Sequence, residues 1–154
     1  MAMDMQTQAQ GSQQPGRDVL DFGADIPFIR ELGVTLHHMA DGESELRYQV
    51  QPRHTNSFAV AHGGVTMTLL DVAMAVAARS VTPDMGVVTI EMKTSFMQPS
   101  RGALVARGRL LHRTRSTAFA EATVHDQEGR LCSQSTGTFR YVPRADASAQ
   151  PATD

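Results

Sequence analysis

From Gly64 to Ala78 the chain reads G-V-T-M-T-L-L-D-V-A-M-A-V-A-A, with Thr66, Thr68 and Asp71 as its only polar side chains. A helix that is apolar on nearly every face has to be buried, so the rest of the chain must wrap this segment. Burying an unpaired carboxylate costs on the order of several kcal/mol, so Asp71 must be paired, protonated or put to use. Two readings stay open. Asp71 is a core acid, protonated or bonded to Thr68 at i−3, or it is a reactive group. Immediately before the helix, His62-Gly63-Gly64 offers backbone N–H groups without β-carbon crowding at the positive end of the helix dipole, where a carbonyl oxygen turning into an oxyanion can bind. The plainer reading of the two glycines is an easy loop-to-helix entry.

The flanking sequence supplies the wrapper. Asp25 to Leu32 predicts a short helix, with Asp25 as N-cap, Pro27 in the first turn and Gly33 at the stop. Residues 34–39 and 44–50 predict a hairpin, the second strand alternating Leu46, Tyr48 and Val50 against Glu45, Arg47 and Gln49. After the helix the period switches to two, with Val88, Ile90, Met92 and Phe96 in one phase and Thr89, Glu91, Lys93 and Ser95 in the other. Further strands are expected at about 103–113, 116–126 and 131–142. The order helix, two strands, long helix, four strands is α+β, an antiparallel sheet wrapped round one central helix. One domain over residues 23–143 is expected, with loose, polar tails at 1–22 and 144–154.

Composition narrows the function classes. A net charge of −2 over 154 residues, with no basic stripe, argues against nucleic-acid binding. A single cysteine, Cys132, rules out an internal disulfide and fits a reducing, cytoplasmic setting. The N-terminus lacks the basic and apolar regions of a signal peptide, and the central helix, about 24 Å long, is too short for a bilayer. No metal site is expected: His37 and His38 point to opposite faces of one strand, and no Cys-His or H-x-x-x-H spacing occurs.

Geometry limits how the two helix features can cooperate. Gly63 and Asp71 are eight positions apart, about 12 Å along a helix, and an aspartate cannot bridge that to its own helix start. If both serve one site, an antiparallel helix from a second subunit must bring Asp71 in, and the site lies across a two-fold interface.

The pattern Asn56…His62-Gly63-Gly64…Asp71…Thr89, with T-S-F-M-Q-P at 94–99 and G-R-L-L-H-R-T-R-S-T-A-F-A-E-A-T-V from Gly108, resembles the hotdog-fold acyl-CoA thioesterases of the phenylacetate-pathway (PaaI) type over roughly residues 25–142. The resemblance implies a hotdog fold and hydrolysis of an aryl- or medium-chain acyl-CoA to free acid and CoA. It implies Gly63 as the donor to the thioester carbonyl and Asp71 as nucleophile or general base. Asn56 and His62 are then the polar pair lining the site, and Thr89 the hydroxyl that positions water. It also implies homodimers that share one sheet, pairing further into tetramers. Coenzyme A would be part of the substrate, with no separate cofactor. Gly64, Met67, Thr68, Leu70 and Met74 are candidate lining for the acyl group. Arg113, Arg115 and Ser116 are candidate contacts for the CoA phosphates. A non-catalytic acyl-CoA sensor is the alternative that keeps the fold. Hydratases of hydroxyacyl thioesters use a different His-plus-acid arrangement.

Overall fold

The computed structural model of the chain describes residues 19–144. The outer parts of both expected tails, residues 1–18 and 145–154, lie outside the described residues. The elements run α1 (Pro27–Leu32), β1 (Thr35–Ala40), β2 (Glu43–Gln49), a 3-10 turn (Pro52–His54), α2 (Gly63–Arg79), β3 (Met85–Phe96), β4 (Ala103–Arg113), β5 (Thr117–His125) and β6 (Leu131–Pro143). The six strands form one antiparallel sheet in the order β1-β2-β4-β5-β6-β3, and α2 touches all six of them. This is the α+β architecture of an antiparallel sheet and one long helix that the sequence pattern predicts.

Local chemistry sets the turns. β1 and β2 join through Asp41 and Gly42, both at positive φ (52° and 81°), the two-residue turn whose twist suits a hairpin. α1 ends at Gly33 in the left-handed region, φ 78°. Its start differs from the expected cap. Ile26 holds the N-cap position without a side-chain bond, because the Asp25 carboxylate pairs with Arg30 instead.

The sheet and helix meet unusually closely. Ala118, Ala120 and Ala122 of β5 are all buried beneath α2 with Leu36, Leu46, Leu104 and Phe139. Gly108 of β4 marks the tightest point, since a β-carbon there would stand 2.1 Å from the carbonyl oxygen of Ala73. Two side chains tie the helix down through its own carbonyls: Ser44 Oγ donates to Ala73 at 2.7 Å and Tyr141 Oη to Ala78 at 2.9 Å.

Two sequence expectations are corrected here. First, α2 is not enclosed all round. Thr66, Leu69, Leu70, Ala73, Met74 and Ala77 are buried against the sheet, while Gly64, Met67, Thr68, Asp71, Val72 and Ala75 form a partly open stripe. One sheet covers one side of a helix, and the stripe is the side it leaves. Second, the strict alternation in β3 breaks at a bulge between Thr89 and Glu91. Before it, Val87 and Thr89 pair with the inward Tyr141 and Phe139; after it, Met92 and Thr94 pair with Gly137 and Ser135. The extra residue, Ile90, puts Thr89 on the same face as Met92, not the opposite one.

Candidate active site

The loop before α2 is built to present the helix start. Thr55 and Ala61 form an isolated bridge, and between them the Asn56 Oδ1 accepts the N–H groups of Phe58 (2.9 Å) and Val60 (3.4 Å). Ala59 takes a positive φ of 54°, and Phe58 at the tip is 79% exposed. The loop therefore consumes the Asn56 oxygen locally and leaves its Nδ2 for other partners.

His62 is the N-cap of α2, with its Nδ1 accepting from the Gly64 N–H at 2.9 Å. Acceptance at Nδ1 places the proton of the neutral ring on Nε2. The N–H groups of Val65 and Thr66 both reach the His62 carbonyl (2.9 and 3.2 Å). Gly63 is thus left as the one first-turn N–H without a hydrogen-bond partner among the described residues. It opens on a cavity of about 560 Å³ that it shares with Asn56, Phe96 and Met97.

Asp71 sits elsewhere. Its carboxylate lines a second cavity of about 450 Å³ with Val72, Ala75, Val87 and Thr89. Thr89 Oγ1 donates to Asp71 Oδ1 at 2.7 Å, the contact that the bulge at Ile90 makes possible. Thr68 is not its partner, because the Thr68 hydroxyl bonds back to the Gly64 carbonyl at 2.8 Å. Asp71 is neither sealed in the core nor paired with a cation among the described residues.

The sequence-derived candidates therefore fall into groups. Asn56, His62 and Gly63 gather at the helix start; Asp71 and Thr89 gather two turns further on; Met67 and Thr68 lie on the open stripe between them. Leu70 and Met74 are each 0% exposed and face the sheet, so their side chains line neither cavity. They follow the buried phase of α2, one step round the helix from Asp71. Arg113, Arg115 and Ser116 are exposed at the β4–β5 turn, and neither arginine has an ion pair among the described residues. Arg113 pairs with Ala118, Ala118 with Phe139 and Phe139 with Thr89, so Arg113 lies on the same rung as Thr89, about 14 Å away at ordinary strand spacing. Sequence reasoning singled out Phe96 and Met97 within T-S-F-M-Q-P without setting them beside Gly63, and missed Arg79 and Arg144 at the far end of the Asp71 cavity. Cys132 offers no nucleophile: it is buried, and burial pushes its thiol above the ordinary value.

Comparison with known proteins bears on the family and the fold. The family model of the Thioesterase superfamily matches residues 58–133. A Halobacterium salinarum protein, named provisionally as an esterase, is 33% identical over 106 residues, 65% of this chain and 70% of that protein. Human acyl-coenzyme A thioesterase 13 is 28% identical over 111 residues, 70% of this chain and 79% of that protein. Among solved structures, a conserved protein from Pseudomonas aeruginosa superposes with a TM-score of 0.74 at 27% identity, over 78% of this chain and 97% of that one. The E. coli PaaI protein of the phenylacetic acid degradation operon superposes with a TM-score of 0.72 at 20% identity, over 77% and 86%, a likeness of fold. The chain belongs to the thioesterase superfamily and has its hotdog fold. It is accordingly a thioester hydrolase.

Proposed function

We propose that the protein hydrolyses an acyl-CoA, with an aryl or medium-chain acyl group, at sites assembled between two copies of the chain. The observation that carries this is the separation of two half-sites on one helix. Gly63 holds an N–H without a partner among the described residues at the helix start, Asp71 holds a Thr89-braced carboxylate eight residues on, and about 12 Å lies between them. Neither half is a catalyst alone. The open stripe of α2 and the free edge of β3, with Val88 and Ile90 exposed at 45% and 59%, supply an apolar surface for a second copy. An antiparallel helix there brings the Asp71 of the partner subunit to Gly63.

In the assembled site the thioester carbonyl oxygen accepts from the Gly63 N–H and the free Asn56 Nδ2, both of which strengthen as the oxygen becomes an oxyanion. His62 holds the helix start in shape by accepting the Gly64 N–H. Thr89 holds Asp71 Oδ1, leaving Oδ2 for the reaction. That oxygen either takes a proton from the attacking water or adds to the carbonyl carbon itself. The tetrahedral intermediate collapses with loss of the CoA thiolate, which takes up the proton removed from water; where Asp71 itself has added, water then cleaves the acyl–aspartyl anhydride to the free acid and the regenerated carboxylate. Water is the only co-reactant, and coenzyme A enters with the substrate. Arg113, Arg115 and Ser116, exposed at the β4–β5 turn, are the proposed contacts for the CoA phosphates. Similarity to acyl-coenzyme A thioesterase 13 supports the CoA substrate class.

The test is free-thiol release from phenylacetyl-, hydroxybenzoyl-, acetyl-, hexanoyl- and palmitoyl-CoA, with wild type and Asp71→Asn side by side. Asp71→Asn should lower kcat at least about 10²-fold. Binding without release from any of these esters would favour an acyl-CoA sensor instead.

A further inference from the structure

The far end of the Asp71 cavity carries a charge that the thioesterase chemistry leaves unexplained. The cavity runs from Asp71 and Thr89 between the apolar walls of Val72, Ala75 and Val87 to Arg79 and Arg144. Arg79 is two turns beyond Asp71 on the same helix, about 12 Å along the axis, and its side chain leans back toward the helix start. The two guanidinium groups converge: a β-carbon built on Gly23 would stand 3.1 Å from Arg79 Nη2 and 3.8 Å from Arg144 Nη2.

Neither arginine meets a carboxylate within ion-pair distance among the described residues. Each spends one Nη2 on a backbone carbonyl, Arg79 on Phe22 and Arg144 on Gly23. Arg79 Nε is buried without a partner. The nearby acid, Asp21, uses its Oδ1 on the Gly23 N–H at 2.6 Å. Burial holds the Arg79 guanidinium below its ordinary value, and the charge of Arg144 pushes the same way while Asp21 pulls back. Fastening residues 22 and 23 would need only neutral donors. A partly desolvated Arg79 beside the exposed cation of Arg144 is costly, and the cost is offset when an anion joins them.

Resting on the acyl-CoA reading above, we infer that this cavity holds the acyl group and that Arg79 and Arg144 select one whose distal end carries a carboxylate. The substrate class is then the ω-carboxyacyl-CoA thioester, with the thioester carbonyl at Asp71, the methylene chain along Val72, Ala75 and Val87, and the free carboxylate at the arginine pair. A bidentate guanidinium–carboxylate contact in a partly dry cavity discriminates strongly against a methyl terminus, which would leave the cations unpaired.

The experiment compares adipyl-CoA with hexanoyl-CoA, which match in chain length and differ in the terminal carboxylate. Titration calorimetry on the Asp71→Asn protein reads binding without turnover, and thiol release reads turnover in the wild type. Adipyl-CoA should bind at least about tenfold tighter and show a correspondingly higher kcat/KM. Arg79→Gln and Arg144→Gln should each reduce that preference ratio severalfold, whereas Arg79→Lys should keep part of it. Equal or weaker binding of adipyl-CoA overturns the inference, and this comparison, made with both arginines intact, decides even if an arginine variant fails to fold. A preference for adipyl-CoA in binding with no thiol release from either ester would sustain the pocket assignment and defeat the hydrolase reading. Release from both esters without preference would do the reverse.

Discussion

Thr89 and Asp71 are eighteen residues apart in the chain and 2.7 Å apart in the fold, the threonine hydroxyl donating to Oδ1 of the carboxylate. The contact exists because β3 carries a bulge at Ile90. It fixes one oxygen of Asp71 and aims the other at the cavity. A hydrogen bond to a charged group contributes about 1.5–3 kcal/mol, part of which is expressed as orientation. Thr89→Val should therefore lower kcat by about tenfold, while Thr89→Ser, which keeps the hydroxyl, should retain most activity. Steady-state kinetics beside thermal unfolding separates this role from a packing effect; a Val variant with wild-type kcat would remove Thr89 from the site.

Gly108 lets α2 lie on the sheet. Its missing side chain is replaced in space by the Ala73 carbonyl, 2.1 Å from where a β-carbon would stand, with Ser44 Oγ at 2.6 Å. The Ala73 carbonyl is helix backbone and cannot swing aside, so Gly108→Ala should cost about 3 kcal/mol in urea unfolding. A loss under about 1 kcal/mol would mean that helix and sheet separate easily.

The β5–β6 turn is held by Asp126. Burial alone would raise its carboxyl, but the N–H and guanidinium of Arg130 at 3.0 and 2.8 Å outweigh that and hold it below the usual range. A folded value below the unfolded one contributes stability above about pH 4 and loses it as pH falls through the folded value. Asp126→Asn should thus be less stable than wild type at pH 7, with the gap narrowing as the pH drops below about 4. A gap that stays constant with pH would contradict this assignment.

Much of this architecture was legible in the chain. The apolar run around Leu69, Leu70 and Ala73 demanded a wrapper, and the alternation of 44–50 with the strand candidates at 103–113, 116–126 and 131–142 supplied one. The half-site separation followed from the spacing of Gly63 and Asp71 alone. What escaped depended on long-range register. Thr89 was assigned to the wrong phase of β3, because a single-residue bulge leaves no mark in a pattern of alternating side chains. Met74 was expected in the substrate pocket, yet one step round α2 turns it from the open stripe to the sheet. Asp25 looked like a cap, but a nearby Arg30 claimed its carboxylate. Arg79 and Arg144 carried no signal, since their meaning arises where the end of α2, the end of β6 and residues 22–26 converge.

The central claim is that each active site takes Gly63 from one subunit and Asp71 from the other. Subunit complementation tests it directly. Asp71→Asn and Gly63→Val, each nearly inactive alone, are mixed in equal amounts, dissociated and allowed to reassociate. Half the dimers should then be hybrids, each with one intact site and one doubly damaged site, so about a quarter of wild-type thiol release should return. Subunit exchange verified by mass spectrometry with no recovery of activity would contradict the shared site and return both half-sites to a single chain.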